Sequence, residues 1–176
     1  MTVSLAGPAT GSTLTGHDAL YVYPADMQHN GTLISGSGAD TGLPRITLAD
    51  AATQRVKWVW AIPVRWAAIA VRWSAIPEVG TGGNVKWQFA YKLIHLGEGN
   101  VDGAVTTVSI AAQDATGAAD WKYLTPSEVA SIDTPAGFFG DAPFMLCSLS
   151  RLGADGTDTL AGGVSVGVAT ATRADL

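Results

Sequence analysis

A single cysteine, Cys147, stands in a chain of 176 residues, which excludes an intramolecular disulfide framework. It lies among apolar neighbours, where cysteine reads as a small buried hydrophobe of a reducing cytosol. Charge is scarce too: charged residues make up 14% of the chain and the net charge is −5. So few cations give no concentrated basic surface, and nucleic acid is excluded as a partner class. Residues 1–15 lack the basic start and apolar stretch of a secretory signal. The most apolar run, Trp58 to Ile76, is interrupted by Pro63, Arg65 and Arg72, so no membrane span is expected. No βαβ rhythm appears.

The motifs of chemistry are missing as well. Cys147 and His95 lack a nucleophile setting, because an apolar strand raises a thiol pKa. His17 and His29 have no Cys or acidic partners at ligand spacing. Asp155-Gly156-Thr157-Asp158 and Asn100-Val101-Asp102 bring oxygen ligands close together, but the full calcium-loop pattern with its bidentate Glu is absent. Asp and Gly at such turns are accounted for by local backbone bonding. No phosphate-cradling Gly loop, paired-acid motif or Ser/His/Asp arrangement occurs. The expectation is a non-enzyme without cofactor or metal.

What the chain does hold is apolar residues at 47% and 21 glycines, a composition of many strands and turns. Its length suits one domain with an extension. Residues 1–52 are rich in Gly, Ser, Thr, Ala and Asp and show no sustained period. They carry scattered anchors, among them Leu14, Tyr21, Tyr23, Leu33 and Ile34, too apolar for a free tail. They read as an extended N-terminal arm that orders on another protein surface, or else wraps its own domain.

Residues 53–176 read as an all-β domain. Val56, Trp58, Trp60 and Ile62 alternate with Arg55, Lys57, Val59 and Ala61, and Val85 to Leu96 alternates as clearly. The stretch Val64 to Ile76 fits helical spacing through Trp66, Ile69, Trp73 and Ile76, and strand spacing through Ala67, Ile69, Val71, Trp73 and Ala75. Strand is chosen, since strands flank it and Pro77 closes it. A closing hairpin runs from Pro143 to Thr170, with Met145, Cys147 and Leu149 on one face of its first strand and Val164, Val166 and Val168 on one face of its second. Short strands between Gly, Pro and Asp turns make a two-sheet antiparallel sandwich. Most tryptophans fall on inward faces, whereas Trp66 and Trp121, beside strand breaks, are candidate exposed rings for glycan contact. Seven of the ten cations fall between Arg45 and Lys92, with acids prevailing from Glu98 onward. The two segments either mix in one sandwich or meet across subunits.

The order Ile62-Pro63-Val64-Arg65-Trp66, Trp73-Ser74-Ala75, Gly83-Asn84-Val85-Lys86-Trp87 with Tyr91 beyond, then Leu149 to Gly162 before a valine strand, resembles the jelly-roll domain of tailed-bacteriophage virion proteins. The resemblance covers roughly Gln54 to Thr170. It implies a jelly-roll sandwich in a structural protein on the virion surface, assembled in the host cytoplasm and commonly trimeric. It would decorate the capsid or form the base of a head spike or fibre. The arm would then bind the major capsid protein or an adjacent virion protein through the anchors named above. The alternative is a receptor- or glycan-binding module at a tail or spike tip, with host surface polysaccharide as partner.

Overall fold

The alternation that opens at Gln54 builds the first long strand. In the computed structural model, which describes residues 19–34, 44–50, 53–63, 66, 68–78, 82–94, 105–115, 122–124, 132–133 and 144–173, Val56, Trp58 and Trp60 are buried and Arg55, Lys57, Val59 and Ala61 are exposed. The described strands are β1 (Ala19–Val22), β2 (Gln28–His29), β3 (Thr32–Ile34), β4 (Arg45–Leu48), β5 (Thr53–Ala61), β6 (Ala68–Pro77) and β7 (Asn84–Val85). They continue with β8 (Trp87–Ile94), β9 (Thr106–Ser109), β10 (Gln113–Asp114), β11 (Lys122–Leu124), β12 (Ile132–Asp133), β13 (Phe144–Leu152) and β14 (Val164–Arg173). Among the described residues no helix is long and apolar enough to cross a membrane.

Two antiparallel sheets face each other. One has the order β2-β5-β13-β8-β9. The other is centred on β6 and β14: β11 and β12 pair along the outer edge of β6, β4 and β1 succeed one another along the far edge of β14, and β3 lies outside β4. A short ribbon of β7 and β10 stands apart. The strand spacing expected for Val64 to Ile76 is what β6 adopts, with Ile69, Val71, Trp73 and Ala75 turned into the core.

Between the sheets lies an aromatic layer. Trp73 of β6 packs edge-on to Trp87 of β8 at 6.0 Å and stacks on Phe89 at 6.3 Å. Trp58 meets Trp60 at 5.3 Å and Phe89 at 6.2 Å. Such offset and T-shaped contacts add to the burial of apolar area. Trp58, Trp60, Trp73 and Trp87 therefore hold the sandwich together, and none is available to a ligand at the surface.

Two sequence expectations change here. First, β13 and β14 are not a hairpin: β13 pairs with β5 and β8, while β14 pairs with β6, β4 and β1. The loop between them arches from one sheet to the other. Alternation is the same whether a chain turns back beside itself or crosses over, so the pattern alone could not separate the two. Second, the β14–β6 register shifts between Val166 and Ala169. The extra residue reverses the phase of alternation, so Ala169 and Ala171, not Val168, continue the core face begun by Val164 and Val166.

The described part of the arm is built into both sheets. β1, β3 and β4 belong to the β14 sheet and β2 pairs with β5. Ile46 and Leu48 are fully buried, and Val22 and Met27 join the same core. Each of these strands is four residues or fewer, too short to display a period in the sequence. Leu14 lies outside the described residues.

A chain shortened to begin at Gln54 would lose those core side chains, each fully buried Ile or Leu being worth about 1.5–3 kcal/mol. It is expected to show no cooperative melt and collapsed amide dispersion in NMR spectra. A native-like spectrum from that truncation would mean that the strands before β5 are dispensable.

Candidate functional site

The arch between the sheets is held by one buried side chain. Arg151, fully buried at the end of β13, sends Nε and Nη2 to the two oxygens of Asp158 at 3.0 and 2.8 Å. Its Nη1 reaches the carbonyls of Leu48 and Gly162, and Nη2 also donates to the carbonyl of Leu160 at 2.7 Å. All of the guanidinium N–H groups thus find acceptors. Asp50 adds a weaker charge contact at 3.7 Å and accepts from the Gly162 amide. Asp158 in turn accepts from the Lys86 amide at 3.0 Å, and the Thr159 and Leu160 amides donate to the Asn84 carbonyl. Gly83, at φ +135°, lies against this seam; a Cβ there would come within 2.7 Å of the Thr159 carbonyl.

This settles the role of the Asp155 to Asp158 turn. Asp155 accepts from the Thr157 hydroxyl and amide at 2.7 and 2.9 Å, a side-chain turn of the kind expected there. The Thr157 hydroxyl, and then its amide, hold the Asp155 carboxyl below its ordinary value. That contribution to stability is present at neutral pH and fades as pH falls through the folded-state pKa, below 3.8. Asp158 is occupied by Arg151. Among the described residues no group of His, Cys, Asp and Glu could hold a metal ion.

A second polar cluster lies on the outer face of the other sheet. Glu78 accepts from the Thr47 hydroxyl at 3.3 Å and from the Ser165 hydroxyl, and faces Arg45 Nε at 3.4 Å. It ties the ends of β4, β6 and β14 together. Ser165 is fully buried, with Thr47 and Glu78 as its partners, so it is a poor nucleophile. Cys147 is equally inert: burial pushes its thiol well above the ordinary value. His17 and His95 lie outside the described residues.

The surface that remains is the outer face of the five-stranded sheet, the phase of alternation opposite to the tryptophans. Its rows follow from the register. Arg55, Ser150, Gln88 and Ser109 lie side by side, as do Lys57, Ser148, Ala90 and Thr107. The next rows are Val59, Leu146 and Lys92, then Ala61, Phe144 and Ile94. The middle strand thus carries the small hydroxyls Ser148 and Ser150 beside the longer Lys57 and Arg55, and Ser150 is only 8% exposed on this outward face. At one end Val59 is 54% and Phe144 36% exposed. At the other, Gln28, His29, Asn30, Arg55 and Lys57 line a shallow hollow of about 210 Å³.

The residues singled out in the sequence fall elsewhere. Trp66 is 3% exposed, so its expected role as a surface ring is corrected: the chain turns there, with its amide bonded to the Pro63 carbonyl, and the indole joins the core. Trp121 lies outside the described residues. Tyr21, Tyr23 and Leu33 are exposed at 51%, 43% and 42%, and Ile34 ends β3 opposite Arg45.

No protein-family model and no curated protein matches the chain. Among solved structures, the CBM22-1–GH10 modules of endo-1,4-β-D-xylanase 10B of Clostridium thermocellum, complexed with xylohexaose, align over 89% of this chain and 28% of that one, with a TM-score of 0.51 at 13% identity. A family 35 carbohydrate-binding module of the same organism aligns over 88% and 97%, with a TM-score of 0.48 at 11% identity. A bacteriophage CBA120 tailspike protein aligns over 84% and 19%, with a TM-score of 0.41 at 8% identity. The chain is a jelly-roll β-sandwich. That much of the expected likeness to virion proteins holds, and it is shared with carbohydrate-binding modules, some of them joined to enzymes.

Arg151→Met would leave the buried Asp158 carboxylate without its counter-charge and remove the guanidinium donors to three carbonyls. The cost expected is about 3–5 kcal/mol, read by urea unfolding. Adding Asp158→Leu should restore part of that loss, since the stranded charge is gone. A single variant as stable as the parent would contradict this account of the arch.

Proposed function

We propose that this chain is a non-catalytic carbohydrate-binding module that holds a glycan on the outer face of its five-stranded sheet. The observation that carries the proposal is the make-up of that face. Rows of hydroxyl, amide and cationic groups run into an apolar end at Val59, Leu146 and Phe144. A sugar offers the complementary pattern, with hydroxyls at the ring edge and C–H groups on the ring face, which packs on aliphatic and aromatic side chains. Ser148 and Ser150 keep the floor low over one half of β13, and Leu146 and Phe144 raise an apolar step over the other. The jelly-roll fold is compatible with this reading, being the fold of a xylanase module whose structure was complexed with xylohexaose.

A second reading draws on a different patch. Tyr21, Tyr23 and Leu33 leave apolar surface exposed within residues 19–34, as attachment to a larger particle would require. Under that reading the chain is a structural protein on a virion, assembled in the host cytoplasm. It is a trimer, docked on the capsid or a neighbouring virion protein, and the arm residues contact that partner.

The two readings separate experimentally. Pull-down of the full chain with insoluble xylan, cellulose, β-glucan and pectin should retain it on at least one polymer. Ser148→Tyr, which raises the floor without touching the core, should weaken retention at least about tenfold with an unchanged melting temperature; tenfold corresponds to about 1.4 kcal/mol. No retention by any polymer, with a trimer in light scattering that Tyr21→Ser/Tyr23→Ser/Leu33→Ser converts to monomer, would favour the second reading.

A further inference from the structure

Resting on the glycan-binding reading, we infer that the ligand is anionic: a polysaccharide carrying carboxylate or sulfate groups, with Arg55 and Lys57 as the residues that select it. Three cations of the basic segment are committed internally. Arg45 faces Glu78, Lys86 Nζ donates to the Ile110 carbonyl at 2.6 Å, and Lys92 has a partner of its own. Arg55 and Lys57 differ. Both are exposed, they point to the same side of β5 about 7 Å apart along the strand, and neither side chain has a partner among the described residues.

Their surroundings are rich in donors. The hollow they border is lined otherwise by Gln28, His29 and Asn30, with no carboxylate among those residues. Asn30 uses its Oδ1 to accept from the Arg55 amide at 2.6 Å, which leaves its Nδ2 as a donor. His29 Nδ1 is engaged with the Gly31 carbonyl at 3.0 Å. An unpaired guanidinium, an ammonium and an amide converge on one shallow space, and such a set recognises an anion better than a neutral hydroxyl. Arg presents its fork to a carboxylate, and charge-assisted bonds are about twice as strong as neutral ones.

The hollow is smaller than the roughly 300 Å³ at which ligand pockets for drug-sized molecules begin, so it takes one substituted ring. The rest of an oligomer would continue past Lys57 over Val59, Leu146 and Phe144. A nucleic acid fits less well. Two cations neutralise too few phosphates to supply the counterion release on which nucleic-acid binding depends, whereas one charged ring in the hollow needs only the Arg55 and Lys57 pair.

The test is calorimetric titration of the full chain with oligogalacturonate, its methyl ester, sulfated dextran oligomers, xylohexaose and a single-stranded oligonucleotide, at low and high salt. At least one of the two anionic glycans should bind at least about tenfold tighter than the methyl ester and xylohexaose, with the preference shrinking as salt rises. Comparing oligogalacturonate with sulfated dextran tells carboxylate from sulfate. Arg55→Gln/Lys57→Gln should erase the preference while keeping the melting temperature. Equal affinity for acid and ester, a preference that survives the double substitution, or tighter binding of the oligonucleotide would each overturn the inference. Binding of neutral glycan without charge preference would overturn it alone, whereas no glycan binding at all would take the module reading with it.

Discussion

The buried contact between Arg151 and Asp158 is the constraint on which the rest of the sandwich depends. Taking a guanidinium and a carboxylate out of water costs several kcal/mol for each ion, and their attraction offsets that only when the remaining hydrogen-bonding capacity is satisfied. Here it is satisfied by carbonyls from three places in the chain: Leu48 at the end of β4, and Leu160 and Gly162 in the arch. The neutral alternative, an apolar residue, would have left those carbonyls buried without donors. One side chain thus joins the N-terminal strands, the crossing loop and, through the Lys86 amide, the start of β8. It closes the end of the sandwich where β13 leaves one sheet and β14 enters the other.

That closure sets the register of β13, the middle strand of the five-stranded sheet, and the register decides what the outer face looks like. Because side chains alternate with a period of two residues, the same strands that turn Trp58, Trp60, Trp87 and Phe89 inward must turn Arg55, Lys57, Gln88 and Ala90 outward. Core and surface are two readings of one pattern. The aromatic rings that might have stacked on a sugar are spent on packing, which is why the outer face relies on hydroxyls, amides and cations, with Phe144 the aromatic at its end.

Much of the fold was legible in the residues, and the reason is length. β5, β8 and β13 each run eight residues or more, enough for alternation to show, and their inward and outward sets were read correctly. β1 to β4 are each four residues or fewer in a Gly- and Ser-rich setting; their strand character comes from pairing with β14, with β5 and, for β3, with β4, not from local preference. The bulge in β14 could not be read from Val164, Val166 and Val168, since an inserted residue leaves the local pattern intact while reversing its phase. The site was less legible. Trp66, beside a strand break, has the sequence setting of an exposed ring, but the chain turns there and the ring is buried. The useful signal was the complementary set, Arg55 and Lys57, visible as the polar phase of the Trp58–Trp60 strand. That their side chains have no partner among the described residues is a tertiary fact with no trace in the sequence.

The account stands or falls on where a sugar lies. Titrating the isotopically labelled full chain with a glycan oligomer while following its backbone amides would locate the contact directly. Shifts concentrated in residues 55–61, 88–92 and 144–150, on the outer face of the five-stranded sheet, are the predicted result. Shifts confined to the neighbourhood of Tyr21, Tyr23 and Leu33, or an unchanged spectrum with every glycan tried, would contradict it.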